Sequence, residues 1–142
     1  MIILDTNVLS ALMQHAPDRQ VISWLDQQPR TSVWTTSVTV LEVWFGVQVM
    51  PLGKRRAHLI LAFETLLSDK IEGRIAPFDA VAARLAADLM ASWHKRGRPG
   101  DLRDTMIAGI VLAHKATLAT RNTPHFEDLL VPVINPWAIH GS

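Results

Sequence analysis

The sequence contains no cysteine and no long hydrophobic run. Without cysteine the chain has no disulfide, no thiolate metal site and no cysteine nucleophile, which fits a reducing compartment. The longest apolar stretch, at about residues 106–113, is too short to span a bilayer, and the first residues lack the basic flank and long apolar run of a secretory signal. We therefore expect a cytoplasmic protein with no membrane partner.

The chain also has little net charge. Its 14 Lys and Arg residues nearly balance 13 Asp and Glu residues, so no bulk field draws it to nucleic acid, and any such contact must be local. A length of 142 residues with 49% hydrophobic content fits one compact core. No internal repeat, low-complexity tract or linker divides the chain, so we expect a single domain over residues 1–142.

The hydrophobic pattern alternates between short continuous runs and helical spacing, which is typical of an α/β fold with a parallel sheet. The clearest helix spans residues 80–94, where Val81, Leu85, Leu89 and Trp93 recur four apart. The other predicted helices cover residues 8–14, 39–50, 54–67 and 105–115, and one more begins near residue 18. Predicted strands cover residues 2–4, 32–35, 74–78, 117–120 and 131–134.

Acidic residues lie where this pattern places the carboxyl ends of the strands. Asp5 ends the first strand, Glu42 lies in the helix after the second, and Asp104 begins the apolar helix before the fourth. Right-handed crossovers bring the carboxyl ends of parallel strands to one edge of the sheet, where such folds bind ligands. Three carboxylates that are distant in sequence are therefore expected to converge.

Each acid also has a purely structural interpretation, since helix N-termini favour Asp and Glu. Asp5 could cap the helix that follows it, Thr39 and Glu42 match a capping box, and Asp101 and Asp104 could cap theirs. Together at one edge, however, three like charges repel unless protons or a cation compensate, and a hard cation such as Mg²⁺ or Mn²⁺ suits carboxylates. Such a site is suited to phosphate chemistry.

Five segments occur in a fixed order along the chain. They are Asp5-Thr6-Asn7 after the first strand, Glu42 within a helix, the stretch DTMIA that begins at Asp104, Thr120-Arg121-Asn122, and Asn135-Pro136-Trp137. This ordered set resembles the PIN-domain ribonucleases, specifically VapC-type toxins of the FitB-like branch. The resemblance extends from residue 1 to about residue 139.

The resemblance implies a three-layer PIN-like fold, with a parallel sheet of strand order 3-2-1-4-5 flanked by helices. It also implies a Mg²⁺- or Mn²⁺-dependent endoribonuclease that hydrolyses RNA with metal-activated water, forms a homodimer and is neutralised by a cognate antitoxin. Asp5, Glu42 and Asp104 would be the catalytic acids and metal ligands. Thr6 and Thr120 would support them with hydrogen bonds.

The sequence departs from the commonest family pattern just after Thr120-Arg121-Asn122. Many members carry a further acid there, whereas this chain has His125. Asn122 could reach the metal through its amide oxygen, and His125 could supply a ring nitrogen or a phosphate contact, or could be a surface residue on a short turn. Arg121, beside the predicted metal edge, is the best single candidate for an RNA phosphate contact.

Two basic clusters, residues 54–56 and residues 94–96 with Arg98, are interpreted as solvated surface.

Two alternative functions remain. A small-molecule phosphohydrolase with an aspartyl nucleophile would need a second acid where Asn7 stands. A non-catalytic, degenerate nuclease that works with a DNA-binding partner is the stronger alternative, because the further acid is absent.

Overall fold

Five short parallel strands form the centre of the protein in this computed structural model, which describes residues 1–98 and 100–138. Their order, β3-β2-β1-β4-β5, confirms the predicted sheet topology, and every neighbouring pair is parallel. Two parts of the sequence lie outside the described residues. They are Pro99, in the predicted break after residue 94, and residues 139–142, at the end of the predicted domain. The strands are β1 (Ile2–Leu4), β2 (Val33–Thr36), β3 (Ile75–Ala76), β4 (Thr117–Ala119) and β5 (Val133–Ile134).

The predicted helices are all present, with ends shifted by at most three residues. Leu66–Lys70 continues α4 as a π-helical turn, and Arg30–Ser32 and Thr123–His125 form 3₁₀ turns. Within the described ranges, no helix is long and apolar enough to cross a membrane. The helices are α1 (Thr6–Leu12), α2 (Arg19–Asp26), α3 (Ser37–Gln48), α4 (Lys54–Thr65), α5 (Ala80–Lys95) and α6 (Leu102–His114).

The central strand β1 separates two hydrophobic cores. Successive side chains of a strand point to opposite faces, so Ile3 and Leu4 enter different cores, and both are fully buried. Leu4 clusters with residues of α1, α2 and α4, whereas Ile3 clusters with residues of α5 and α6. Burial of each such side chain stabilises the fold by about 1.5–3 kcal/mol. The two cores therefore hold helices against both faces of the sheet, which gives three layers.

The start of α3 corrects one prediction from the sequence. The Thr36 hydroxyl accepts a hydrogen bond from Thr39 N at 3.0 Å, so Thr36 caps the helix and Thr39 lies inside it. The capping box predicted from Thr39 and Glu42 is therefore wrong, because β2 runs directly into the helix and its last residue becomes the cap. Glu42 consequently lies in the second turn, where its carboxylate is not used for capping.

Helix α6 packs against α5 at very short range. A Cβ atom placed on Gly109 would lie 2.4 Å from the Ala82 carbonyl oxygen and 2.8 Å from the Ala86 Cβ. Only a residue without a side chain fits this contact. The close approach fixes the position of α6, and with it Asp104, relative to α5.

We expect Gly109→Ala to destabilise the protein by about 1–3 kcal/mol, because the added methyl group must displace the α5 backbone. Gly46→Ala, in the exposed part of α3 with nothing within 4 Å of a new Cβ, is the matched control and should gain about 0.5–1 kcal/mol. Urea unfolding of both variants measures the difference. Equal stabilities would contradict the packing described for Gly109.

Candidate active site

The carboxylate of Asp5 is held rigidly where the central strand ends. Asp5 is only 3% exposed. One carboxylate oxygen accepts a hydrogen bond from Thr6 N at 2.8 Å, and the other accepts from the Thr120 hydroxyl at 2.7 Å. Asp5 is thus the N-cap of α1, as the structural interpretation predicted, and its second oxygen is fixed by the residue that follows β4.

Asn7 connects this carboxylate to the loop after β4. Its side-chain nitrogen donates to the Thr120 hydroxyl at 3.2 Å and approaches Asp5 Oδ2 at 3.4 Å, and its amide oxygen accepts from Arg121 N at 3.0 Å. Sequence reasoning assigned Asn7 no role here. Its position two residues after Asp5 could have suggested a place in the site. The residues that it contacts, however, lie more than 100 residues further along the chain.

Glu42 reaches the same edge of the sheet from α3. The Thr6 hydroxyl donates to Glu42 Oε1 at 3.0 Å and lies 3.2 Å from the Thr39 hydroxyl. The second oxygen of Glu42 lies 3.5 Å from Arg103 Nη1. The predicted supporting residue Thr6 therefore links α1 to the Glu42 carboxylate, and Arg103 is a cation at the site that sequence reasoning missed.

Asp104 lies in the first turn of α6 but does not cap it. Asp101 is the cap, because its carboxylate accepts from the backbone N–H groups of Arg103 and Asp104 at 2.9 and 3.1 Å. The Asp104 carboxylate instead contacts His125, with 3.1 Å between Oδ2 and Nδ1. Because a carboxylate accepts hydrogen bonds, Nδ1 carries the shared proton.

The three acids influence one another electrostatically. The pKa of Asp5 is raised above its ordinary value of 3.8, mainly because burial removes water from the carboxylate, and the negative charges of Asp104 and Glu42 raise it further. The hydrogen bonds from Thr120 and Thr6 oppose this rise. The structure therefore brings the three predicted acids to one edge, with an unfavourable concentration of negative charge.

The donor atoms of this edge fit a hard divalent cation. Asp5, Glu42 and Asp104 offer carboxylate oxygens, and a cation would relieve the repulsion between them. In the described part of the chain, no group of three His, Asp or Glu side chains is placed so that all three could hold one metal ion. Mg²⁺ does not need such a group, since it usually binds through one or two carboxylates and keeps several waters.

The remaining predicted residues lie around this centre. Asn122 is exposed, and the contact that joins it to the network is its backbone N–H, which donates to the Thr120 hydroxyl at 3.0 Å. That its amide oxygen reaches the metal stays a prediction. Arg121 follows Thr120 and is exposed at the edge of this site. Its guanidinium carbon lies 4.7 Å from the centre of the Trp137 ring.

The chain is similar to known proteins along nearly its whole length. The PIN domain family model matches residues 2–129. The chain is 41% identical to the VapC ribonuclease Y4jK of Sinorhizobium fredii over 137 residues, covering 96% of this chain and 98% of that protein. It is 34% identical to the toxin FitB of Neisseria gonorrhoeae over 137 residues, covering 96% and 99%. A crystal structure of FitAcB from the same organism aligns with a TM-score of 0.87 at 34% identity, covering 98% and 100%.

The raised pKa of Asp5 predicts a pH dependence of stability in the absence of metal. An acid whose pKa is higher in the folded than in the unfolded state stabilises the fold at low pH, and this contribution is lost as the pH rises from 3.8 through the raised value. We therefore expect the free energy of unfolding of Asp5→Asn, relative to wild type, to rise over this range in EDTA.

Asp79→Asn is the matched control, because Asp79 also follows a strand and caps a helix, accepting from Ala82 N at 3.0 Å. Urea unfolding at a series of pH values gives the free energy of unfolding of wild type, Asp5→Asn and Asp79→Asn. If the curve of Asp5→Asn runs parallel to wild type, burial and neighbouring charge do not act on Asp5 as described.

Proposed function

This chain belongs to the PIN-domain family, and from that premise we propose that it is a metal-dependent endoribonuclease that acts as the toxin of a toxin–antitoxin pair. The observation that carries the proposal is the buried Asp5 carboxylate, which lies within electrostatic range of Glu42 and Asp104 at the carboxyl edge of the sheet. The VapC ribonuclease and the FitB toxin, which share 41% and 34% of its residues, support the same function. The match to residues 2–129 supports a single domain.

In the proposed mechanism the protein supplies a rigid, negatively charged site. The bound cation, Mg²⁺ or Mn²⁺, would polarise a phosphoryl oxygen and lower the pKa of a bound water. One or two of the carboxylates of Asp5, Glu42 and Asp104 would hold it directly, and the others would bind it through its waters. Thr120 and Thr6 N fix the Asp5 carboxylate, and the Thr6 hydroxyl fixes Glu42, so that these two ligands need little rearrangement.

Cationic side chains around the acids would bind the RNA backbone. Arg121 at the rim is suited to a phosphate contact, because its backbone is fixed by Asn7 and its guanidinium group rests on Trp137. Arg103 lies against Glu42 and would be available to a phosphate once a metal satisfies that carboxylate. These contacts are local, in keeping with a net charge of only +1.

A protein partner is proposed from an apolar stripe on α3. Leu41, Phe45 and Val49 recur four apart, so they lie on one side of the helix, and each is 57–65% exposed. A stripe of large apolar side chains in water marks an interaction surface. We propose that a second copy covers it in a homodimer, and that the cognate antitoxin places a basic side chain among the acids, where it would replace the charge of the metal.

Carboxamide substitution tests the catalytic site. We expect Asp5→Asn to lower Mg²⁺- or Mn²⁺-dependent cleavage of RNA by about a hundredfold or more, because Asn caps a helix as well as Asp but brings no charge to a cation. Glu42→Gln and Asp104→Asn should have the same effect. Cleavage of a labelled structured RNA, read beside thermal unfolding, measures activity and folding together.

Asp79→Asn, the cap of α5, should retain wild-type cleavage. Near-wild-type cleavage by folded Asp5→Asn would show that Asp5 is a cap and not a ligand. If metal raises the unfolding temperature of none of the proteins and wild type cleaves no RNA, the non-catalytic alternative is correct.

Phe45→Glu tests the proposed dimer. A charge in the centre of the apolar stripe should convert a dimer to a monomer at micromolar concentration, because the interface would have to bury it without a partner. Light scattering after size exclusion measures the mass. Leu130→Glu, at a 96% exposed residue outside the stripe, is the control and should remain dimeric; a dimeric Phe45→Glu would contradict the assignment.

A further inference from the structure

A series of three threonine hydroxyls connects the first turn of α3 to the Glu42 carboxylate. Thr36 ends β2, Thr39 is the third residue of α3, and Thr6 is the first residue of α1. The hydroxyl oxygens of Thr36 and Thr39 are 3.3 Å apart, and those of Thr39 and Thr6 are 3.2 Å apart. The Thr6 hydroxyl lies 3.0 Å from Glu42 Oε1. This series of Thr36, Thr39 and Thr6 is the hydroxyl relay.

The direction of these hydrogen bonds follows from the number of protons. A hydroxyl group has one proton to donate, and an ionised carboxylate only accepts. The Thr6 proton therefore goes to Glu42, and Thr6 accepts from Thr39. The Thr39 hydroxyl in turn accepts from Thr36, which accepts from the Thr39 backbone N–H at 3.0 Å. One N–H and three hydroxyls consequently point the same way, from the start of α3 toward the carboxylate.

This alignment strengthens the hydrogen bond that Glu42 receives. The series begins at an N–H group in the first turn of α3, where the helix dipole places partial positive charge. Thr36 and Thr39 are fully buried, and hydrogen bonds in series polarise one another in such surroundings. The Thr6 hydroxyl is therefore a better donor to Glu42 than an isolated hydroxyl would be.

Packing alone gives no reason for a hydroxyl group at Thr39. The residue is 0% exposed, and a valine has nearly the same shape without a polar group to bury. Thr36 already supplies the cap of α3 by accepting from the Thr39 backbone. The Thr39 hydroxyl contacts the hydroxyls of Thr36 and Thr6. Its role is thus to connect them.

The relay acts on one of the two oxygens of Glu42. Oε1 accepts from Thr6, whereas Oε2 lies 3.5 Å from Nη1 of Arg103, an exposed side chain. A donor on Oε1 restricts rotation of the carboxylate. Oε2 is then the oxygen that remains for a cation or for one of its waters.

We propose that Thr39 is a positioning residue for Glu42 and acts through Thr6, without touching the cation or the RNA. The relay holds Oε1 and so orients Oε2 before the cation binds. The inference rests on the proposed metal-dependent function and deepens it, because it names a buried residue outside the three acids on which metal binding depends.

Binding of Mn²⁺, measured by isothermal titration calorimetry without RNA, tests the relay apart from cleavage. Thr39→Val keeps the shape of the side chain but loses the hydroxyl, and we expect about tenfold weaker binding, as for other partners of metal ligands. Thr39→Ser keeps the hydroxyl and should restore most of the affinity. Thr35→Val is the matched control and should bind as wild type does, since Thr35 is also fully buried but donates to the Leu4 carbonyl at 3.2 Å.

A second substitution distinguishes a relay from two separate effects. Thr6→Val removes the donor that reaches Glu42, so it should weaken Mn²⁺ binding by about tenfold or more. If Thr39 acts through Thr6, adding Thr39→Val to Thr6→Val should cause no further loss of affinity. Additive losses, which independent contributions produce, would overturn the relay.

The inference is also wrong if folded Thr39→Val binds Mn²⁺ as tightly as wild type does. Thr39→Ala, which likewise lacks the hydroxyl and favours a helix, makes the same comparison if Thr39→Val does not fold.

Cleavage of RNA by wild type reports separately on the proposed function. A wild type that cleaves RNA, together with an unaffected Thr39→Val, refutes the relay alone. Thr39-dependent binding of Mn²⁺ by a wild type that cleaves no RNA supports the relay and refutes the catalytic function. A wild type that binds no Mn²⁺ refutes the relay as well.

Discussion

Burial of one carboxylate at the end of the central strand organises the whole site. Asp5 has little contact with water, so burial penalises its charge, and the hydrogen bonds from Thr120 and the Thr6 N–H offset part of that cost. The same two contacts join the start of α1 to the end of β4. Since β1 lies between β2 and β4, this carboxylate lies at the meeting point of the elements that carry the other acids.

Helix capping at this edge is carried out mainly by neighbours of the acids. Thr36 caps α3 and Asp101 caps α6, which leaves Glu42 and Asp104 free of their own helix ends. Asp5 is the one acid of the three that caps a helix, with one oxygen on the α1 backbone, while its other oxygen accepts from Thr120. This division explains how helix N-termini at the edge of a sheet can present carboxylates without losing the caps that stabilise the helices.

A nearly neutral chain can still present an anionic centre with cationic surroundings. Arg103 lies against Glu42, Arg121 rests on Trp137 at the rim, and Arg98 flanks the Asp104 side with Asp128. At physiological salt, screening limits exposed charges to effects within about 8 Å. The position of each cation relative to the acids therefore matters more for the proposed RNA substrate than the net charge of the chain.

The sequence by itself determined the architecture and the edge of the sheet at which three acids lie. Its run lengths and periodicity predicted five strands and six helices, because the buried faces of these elements impose a regular pattern, and the order of its motifs indicated the topology. It did not determine which residues act as caps or how the acids are supported. Thr36 rather than Thr39 caps α3, Asn7 bonds to the loop after β4, and His125 meets Asp104. The contacts of Asn7 and His125 join residues distant along the chain, so only the packing of α1, α6 and the turn after β4 against one sheet edge decided them. The cap of α3 is local, but it depends on β2 running directly into the helix, which the sequence pattern did not reveal.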